Sequence, residues 1–211
     1  MLNLPTHLRS RLVSILTTVM LTFFITATSL AQTLKVLHDF GVTAGDGNLP
    51  SGPLLKDAAG NLYGMTSAGG IHNFGSVYGL SPTSTGSFKG TILYSFKGGS
   101  ADGALPEGPL FRDSAGNFYG VTEAGGINAT VCTAPTPGCG VIFKLTPTTT
   151  GGWTETVLHR FTGTDGGNSF AGLVRDSKGN FYGATSVGGS AGLGKVYKLS
   201  HTSTGWKETV L

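Results

Sequence analysis

Three near-copies of one stretch, apolar and aromatic residues at fixed places between turns, and no long amphipathic helical period together predict an all-β fold. The copies are Leu54–Gly70 (LLKDAAGNLYGMTSAGG), Leu110–Gly126 (LFRDSAGNFYGVTEAGG) and Leu173–Gly189 (LVRDSKGNFYGATSVGG). Each belongs to a unit that reads as four short antiparallel strands, and such units in tandem are the pattern of β-propeller-like blades. The units run over 53–96, 109–161 and 172–211, within a repeat domain spanning 32–211.

The elements follow in order. Leu34–Phe40 is expected to be an N-terminal strand, because Val36, Leu37 and Phe40 stand where Ile92, Leu93 and Phe96 stand in a fourth strand. The first strand of each unit is Pro53–Asp57, Pro109–Asp113 or Gly172–Asp176, and it ends in an Asp-x-x-Gly-Asn turn. There Asp57, Asp113 or Asp176 can bond the backbone ahead, and Gly60, Gly116 or Gly179 takes the left-handed position. The second strands begin at Leu62, Phe118 and Phe181 and end at Thr66, Thr122 and Thr185. A Gly-Gly loop leads to the third strands, Ser76–Leu80, Val141–Leu145 and Lys195–Leu199. A Thr/Ser/Gly turn then opens the fourth, at Phe88, Trp153 and Trp206. A donated N-terminal strand would complete the last blade. Three units are too few for a ring of about four to eight blades. The expectation is therefore an incomplete ring, either part of a longer protein or half of a self-associating one.

Leu12–Ala31 carries no charge, follows His7, Arg9 and Arg11, and ends in Ser29-Leu30-Ala31 before Gln32. This reads as a signal peptide over 1–31 cleaved between Ala31 and Gln32, the alternative being an uncleaved span. Either reading exports the rest of the chain to the cell surface or the extracellular space, and membrane contact is then expected only through this segment. The formal charge of +3 includes Arg9 and Arg11, so the remainder is close to neutral. Without a basic cluster the chain has no source for the counterion release that drives nucleic-acid binding, so no nucleic-acid partner is expected.

Cys132 and Cys139 are the only cysteines and lie in the insert Ala129–Gly138, which lengthens the middle unit. An oxidising compartment favours a disulfide between them. As a closed loop of about eight residues it would contribute about 2.5 kcal/mol, a local staple. Two thiols without further ligands at the right spacing make no zinc site, and no metal or cofactor is expected.

Leu62-Tyr63-Gly64-Met65-Thr66, Gly69-Gly70 and Gly75-Ser76-Val77-Tyr78-Gly79-Leu80, with their copies after Tyr119 and Tyr182, resemble the GloVer tandem repeat of secreted bacterial proteins. The resemblance implies export and, in many members, a C-terminal sorting or anchoring tail. It implies no activity, ligand or catalytic residue.

A residue present in every unit serves the unit, whereas one catalytic centre needs unrepeated groups. Asp57, Asp113 and Asp176 therefore read as turn formers, and Tyr63, Tyr119 and Tyr182 as strand aromatics whose hydroxyls find partners at the rim. His38 and His159 share one place in strand four with Tyr94 and read as packing, while His72 and His201 read as lone loop residues. Asp46, Asp102 and Asp165 each precede glycine in the loops joining units. They are the candidate rim-loop binding residues, able to face a cation or a glycan, and their plainer reading is Asp-Gly turns. Glu107 and Glu123 occur only in the middle unit and are the one pair that could serve a glycosidase. The expected function is a non-catalytic exported module binding a glycan or surface protein. The alternative is a secreted propeller-type hydrolase acting on polysaccharide.

Overall fold

The computed structural model describes residues 33–132 and 136–211, and the predicted signal peptide with its Ala31–Gln32 junction lies outside the described residues. Leu37–Leu211 forms one compact unit. Within it the described residues make three four-stranded antiparallel sheets and no helix. The first blade is β1 (Gly47–Lys56), β2 (Leu62–Gly69), β3 (Ser76–Pro82) and β4 (Phe88–Ser95). The second is β5 (Gly103–Arg112), β6 (Phe118–Gly125), β7 (Val141–Pro147) and β8 (Trp153–Arg160). The third is β9 (Val174–Arg175), β10 (Phe181–Thr185), β11 (Lys195–Thr202) and β12 (Gly205–Val210). Each is a plain meander in chain order, and the three together leave the ring open.

The Asp-x-x-Gly-Asn turns form as expected, and each does more than reverse the chain. Asp57 Oδ1 accepts the N–H groups of Ala59 and Asn61, and Oδ2 accepts the Asn61 side-chain amide and the Tyr63 hydroxyl at 3.0 Å. Asp113 and Asp176 repeat all four bonds with Ala115, Asn117 and Tyr119, and with Lys178, Asn180 and Tyr182. The Asn180 amide, foremost among these donors, holds the Asp176 carboxyl down at about 2. Each turn thereby ties the second strand's tyrosine to the end of the first strand.

Four elements differ from the sequence reading. The first strands of blades one and two begin at Gly47 and Gly103, well ahead of Pro53 and Pro109. A register shift between Ser51 and Leu55, and between Glu107 and Phe111, lets the strand continue past the prolines. Gly108 (φ 76°) sits inside that shift, where a side chain would strike the Phe170 carbonyl of the next blade's inner chain. In the third blade only Val174–Arg175 remains of this strand, with a bridge from Gly167 to Val187. The expected strand at Leu34–Phe40 does not form. None of the three four-stranded sheets includes it. Its Phe40 instead packs on Tyr78 with ring centroids 4.8 Å apart.

No blade has a core of its own. One buried cluster joins Met65, Val77 and Phe96 of the first blade to Leu110, Phe118, Phe143 and Leu145 of the second. The other joins Val121, Ile142 and Phe161 to Leu173, Phe181, Tyr197 and Leu199 of the third. The repeat explains this: every blade presents one apolar face backward and one forward. Arg112 strengthens the first seam, with its guanidinium over the Tyr63 and Phe118 rings and 3.6 Å from Asp57.

A backbone feature recurs at each seam. Leu105 and Asn168 adopt left-handed φ of 53° and 49°, a conformation costing on the order of 1 kcal/mol or more for such residues. It directs their N–H groups onto the preceding blade, to the carbonyls of Phe74 and Cys139, both at 3.0 Å.

Phe118 is fully buried between the Tyr63 ring of one blade and Trp153 of its own. We expect Phe118→Ala to lower stability by about 3–5 kcal/mol in urea denaturation. A loss below about 1 kcal/mol would contradict the seam as the core.

Candidate functional site

The loops that join blades carry the predicted rim aspartates, and the structure gives each carboxylate partners from its own surroundings. Asp46 Oδ1 accepts the Gly47 N–H at 2.8 Å, while Oδ2 accepts that of Gly41 and lies 3.2 Å from His38 Nε2. Asp102 Oδ2 accepts the Tyr94 hydroxyl at 2.8 Å and the Lys97 N–H at 2.9 Å, and Oδ1 accepts the Gly103 N–H at 2.6 Å. Asp165 Oδ1 accepts the Thr162 N–H and hydroxyl, and Oδ2 lies 3.1 Å from His159 Nε2. Each aspartate therefore folds its loop back onto the chain that leads into it. Among the described residues no three His, Cys, Asp or Glu side chains come together to hold a metal ion.

His38, Tyr94 and His159 are thus more than packing residues. Each lies edge-on to the phenylalanine two residues on, Phe40, Phe96 or Phe161, and each bonds the next loop's aspartate. Burial lowers the His159 imidazole's proton affinity against the pull of Asp165, so the neutral ring's Nε2–H donates to the carboxylate. The signal was present in the sequence, as a ring bearing a donor ahead of every Asp-Gly pair. His201 lies in β11 against Trp206 and is no loop residue.

Beneath two of these loops sits a glutamate that sequence reasoning passed over. Glu155 on β8 is pushed up to about 7, first by burial and then by the charge of Asp102, and its Oε1 is buried without a hydrogen-bond partner. Glu208, at the same place on β12, also has a buried Oε1 without a partner and is raised by burial and then by Asp165. In the first blade Gly90 replaces them, and His38 lies where a side chain would project.

Glu107 and Glu123 are brought close enough for the charge of Glu123 to add to burial in raising Glu107, against a hydrogen bond from Ser51. Burial alone raises Glu123. The pair lies on neighbouring strands β5 and β6, beside the first blade's Ser51, whose hydroxyl donates to the Pro106 carbonyl at 3.0 Å.

The cysteines form a disulfide with Cα atoms 5.1 Å apart. It is more than a loop staple: Cys139 is fully buried in the seam between blades two and three, and Cys132 packs against the same cluster. Gly167 of the third blade lies so close that a side chain there would strike Cys132 Sγ.

The raised Glu155 binds its proton more tightly in the folded chain than in the unfolded one. Its contribution is therefore full below about pH 4.5 and lost as the pH rises through about 7. Glu155→Gln should remove that slope and raise stability at pH 8 by about 1 kcal/mol, discounted for solvent screening. Denaturation midpoints at pH 5 and pH 8 measure it, and an unchanged slope in the variant would contradict the assignment.

No curated protein and no solved structure matches the chain. A family model described as the Gloeobacter/Verrucomicrobia repeat matches residues 22–132, over half of the sequence, and the chain belongs to that repeat family.

Proposed function

We propose that this chain is an exported, non-catalytic repeat module with a binding or structural role outside the cell or at its surface. The observation that carries the reading is the buried Cys132–Cys139 bridge, which closes a core seam and calls for an oxidising compartment. The uncharged run Leu12–Ala31 supports the same address. For binding, the loops containing Asp46, Asp102 and Asp165 recur once per blade and are ordered by their own carboxylates. We assign them to contact with a glycan or surface protein through backbone and hydroxyl groups, the carboxylates setting loop shape. N-terminal sequencing of protein recovered outside the cell should begin at Gln32, and retention in the cytoplasm would overturn export. Glycan-array and whole-cell binding should be reduced by replacing residues 41–46 or 97–102, and a blank result across both assays would overturn the binding role.

A second reading, hydrolysis of polysaccharide, is favoured by the electrostatic pairing of Glu107 and Glu123. Burial and the neighbouring charge suit Glu107 to the acid role and leave Glu123 as base. Any hydrolysis that survives both Glu107→Gln and Glu123→Gln removes this reading.

A further inference from the structure

The second and third rim loops are each held from the preceding blade, at the same place and by different chemistry. In each loop one N–H closes a short turn, Gly98 to the Gly103 carbonyl at 3.1 Å and Gly163 to the Gly166 carbonyl at 2.9 Å. The residue two places beyond each carbonyl then gives its N–H to the preceding blade, Leu105 to Phe74 and Asn168 to Cys139. Phe74 and Cys139 therefore stand at equivalent points, in the loops between second and third strands. What lies over the rim loop is not equivalent. A side chain at Gly98 would meet the Phe74 ring, whereas one at Gly163 would meet Ala129, Val131 and Cys132 Sγ. An aromatic ring plugs the first seam here, and the disulfide with its insert plugs the second.

The floor beneath is fitted to the plug. Ala104 is fully buried in the second blade, and Gly167 takes its place in the third, where a side chain would strike Cys132 Sγ and crowd Cys139 Cβ. The third blade also has less to fall back on. β5 pairs with β6 from Gly103 onward, whereas the matching stretch of the third blade has one isolated bridge, Gly167 to Val187, ahead of Val174–Arg175.

Phe74 is a single side chain, in place whatever the redox state. The sulfur plug is assembled from residues seven apart, and the Cys132 N–H reaches the Ala129 carbonyl within the insert itself. The covalent bond is what ties Cys132 to the buried Cys139 and so keeps it over Gly163.

We propose that residues 162–168 take their shape only once Cys132 and Cys139 are joined, so that oxidation after export completes the rim. The proposal rests on the reading of the chain as an exported module that binds through its rim loops. The chain is made where thiols stay reduced and meets an oxidant outside. That oxidant is a disulfide. The Cys132 thiolate attacks one of its sulfurs and the other leaves as a thiolate; the Cys139 thiolate then attacks Cys132 Sγ and expels the second. The chain gives up two electrons and two protons, and the oxidant becomes a dithiol. Cys132 is half-buried and Cys139 fully buried, which makes Cys132 the sulfur that an exchange partner reaches.

Native-state hydrogen exchange on the full chain tests this, before reduction by dithiothreitol, after it, and again after reoxidation. Reduction should speed exchange over 162–168 by roughly tenfold or more, within what a short-loop bridge is worth, and reoxidation should restore it. Residues 97–105, plugged by Phe74, should keep their rate throughout. Cys132→Ser should exchange fast over 162–168 with or without reductant. Unchanged exchange over 162–168 on reduction of the parent chain would overturn the proposal. Equal acceleration over 97–105 would do the same, because the bridge would then support the whole molecule rather than one loop, and so would a reductant effect that persists in Cys132→Ser. The readout needs no ligand, so a blank binding assay would remove the rim-binding reading without altering this result.

Discussion

Apolar burial between successive blades is the interaction on which the rest of this structure depends. A four-stranded meander of these lengths has two faces, and in this sequence both are apolar near the middle of the strands. Neither face can be left in water without forfeiting the main favourable contribution to folding. The repeat solves this by stacking, so that every buried cluster belongs to two blades. The inner-strand glycines, the left-handed Leu105 and Asn168, and the placement of Arg112 all serve the same approach of one blade to the next. The strained backbone at Leu105 persists because its N–H gains a buried carbonyl on the neighbouring blade.

The polar residues then fall into two sets with different tasks. Asp57, Asp113 and Asp176 each collect four donors within one turn and lock strand two onto strand one. Asp46, Asp102 and Asp165 act between blades, since each joins a loop to the ring of His38, Tyr94 or His159 that ends the preceding stretch. Glu155 and Glu208 lie against the second set and take their raised affinity for protons from burial and from those carboxylates. A function that uses the rim therefore uses loops whose shape is set from within, and the middle blade adds Glu107 beside Glu123 and the disulfide-bearing insert.

Much of the fold was legible in the sequence because the repeat is short and its punctuation is chemical. The Asp-x-x-Gly-Asn turns, the second and third strands and the cysteine pairing all follow from residue type and spacing. What escaped was long-range. That β1 and β5 begin at Gly47 and Gly103 depends on bulges at Ser51 and Glu107, which no local pattern around Pro53 or Pro109 reveals. Leu34–Phe40 reads as a strand because it copies strand four, yet it joins none of the three sheets. The partnership of His38, Tyr94 and His159 with the loop aspartates was hidden because each kind of residue had its own plausible local use. Glu155 and Glu208 looked like ordinary strand positions, since only the stacking of blades buries them.

Native-state hydrogen exchange on Leu110→Ala tests the sharing of cores most directly. Leu110 lies in the second blade but belongs to the cluster that includes Met65, Val77 and Phe96 of the first. If cores are shared, protection falls in β2 and β3 together with β6 and β7. Loss confined to β5–β8, with β2 and β3 exchanging as in the parent chain, would contradict the account.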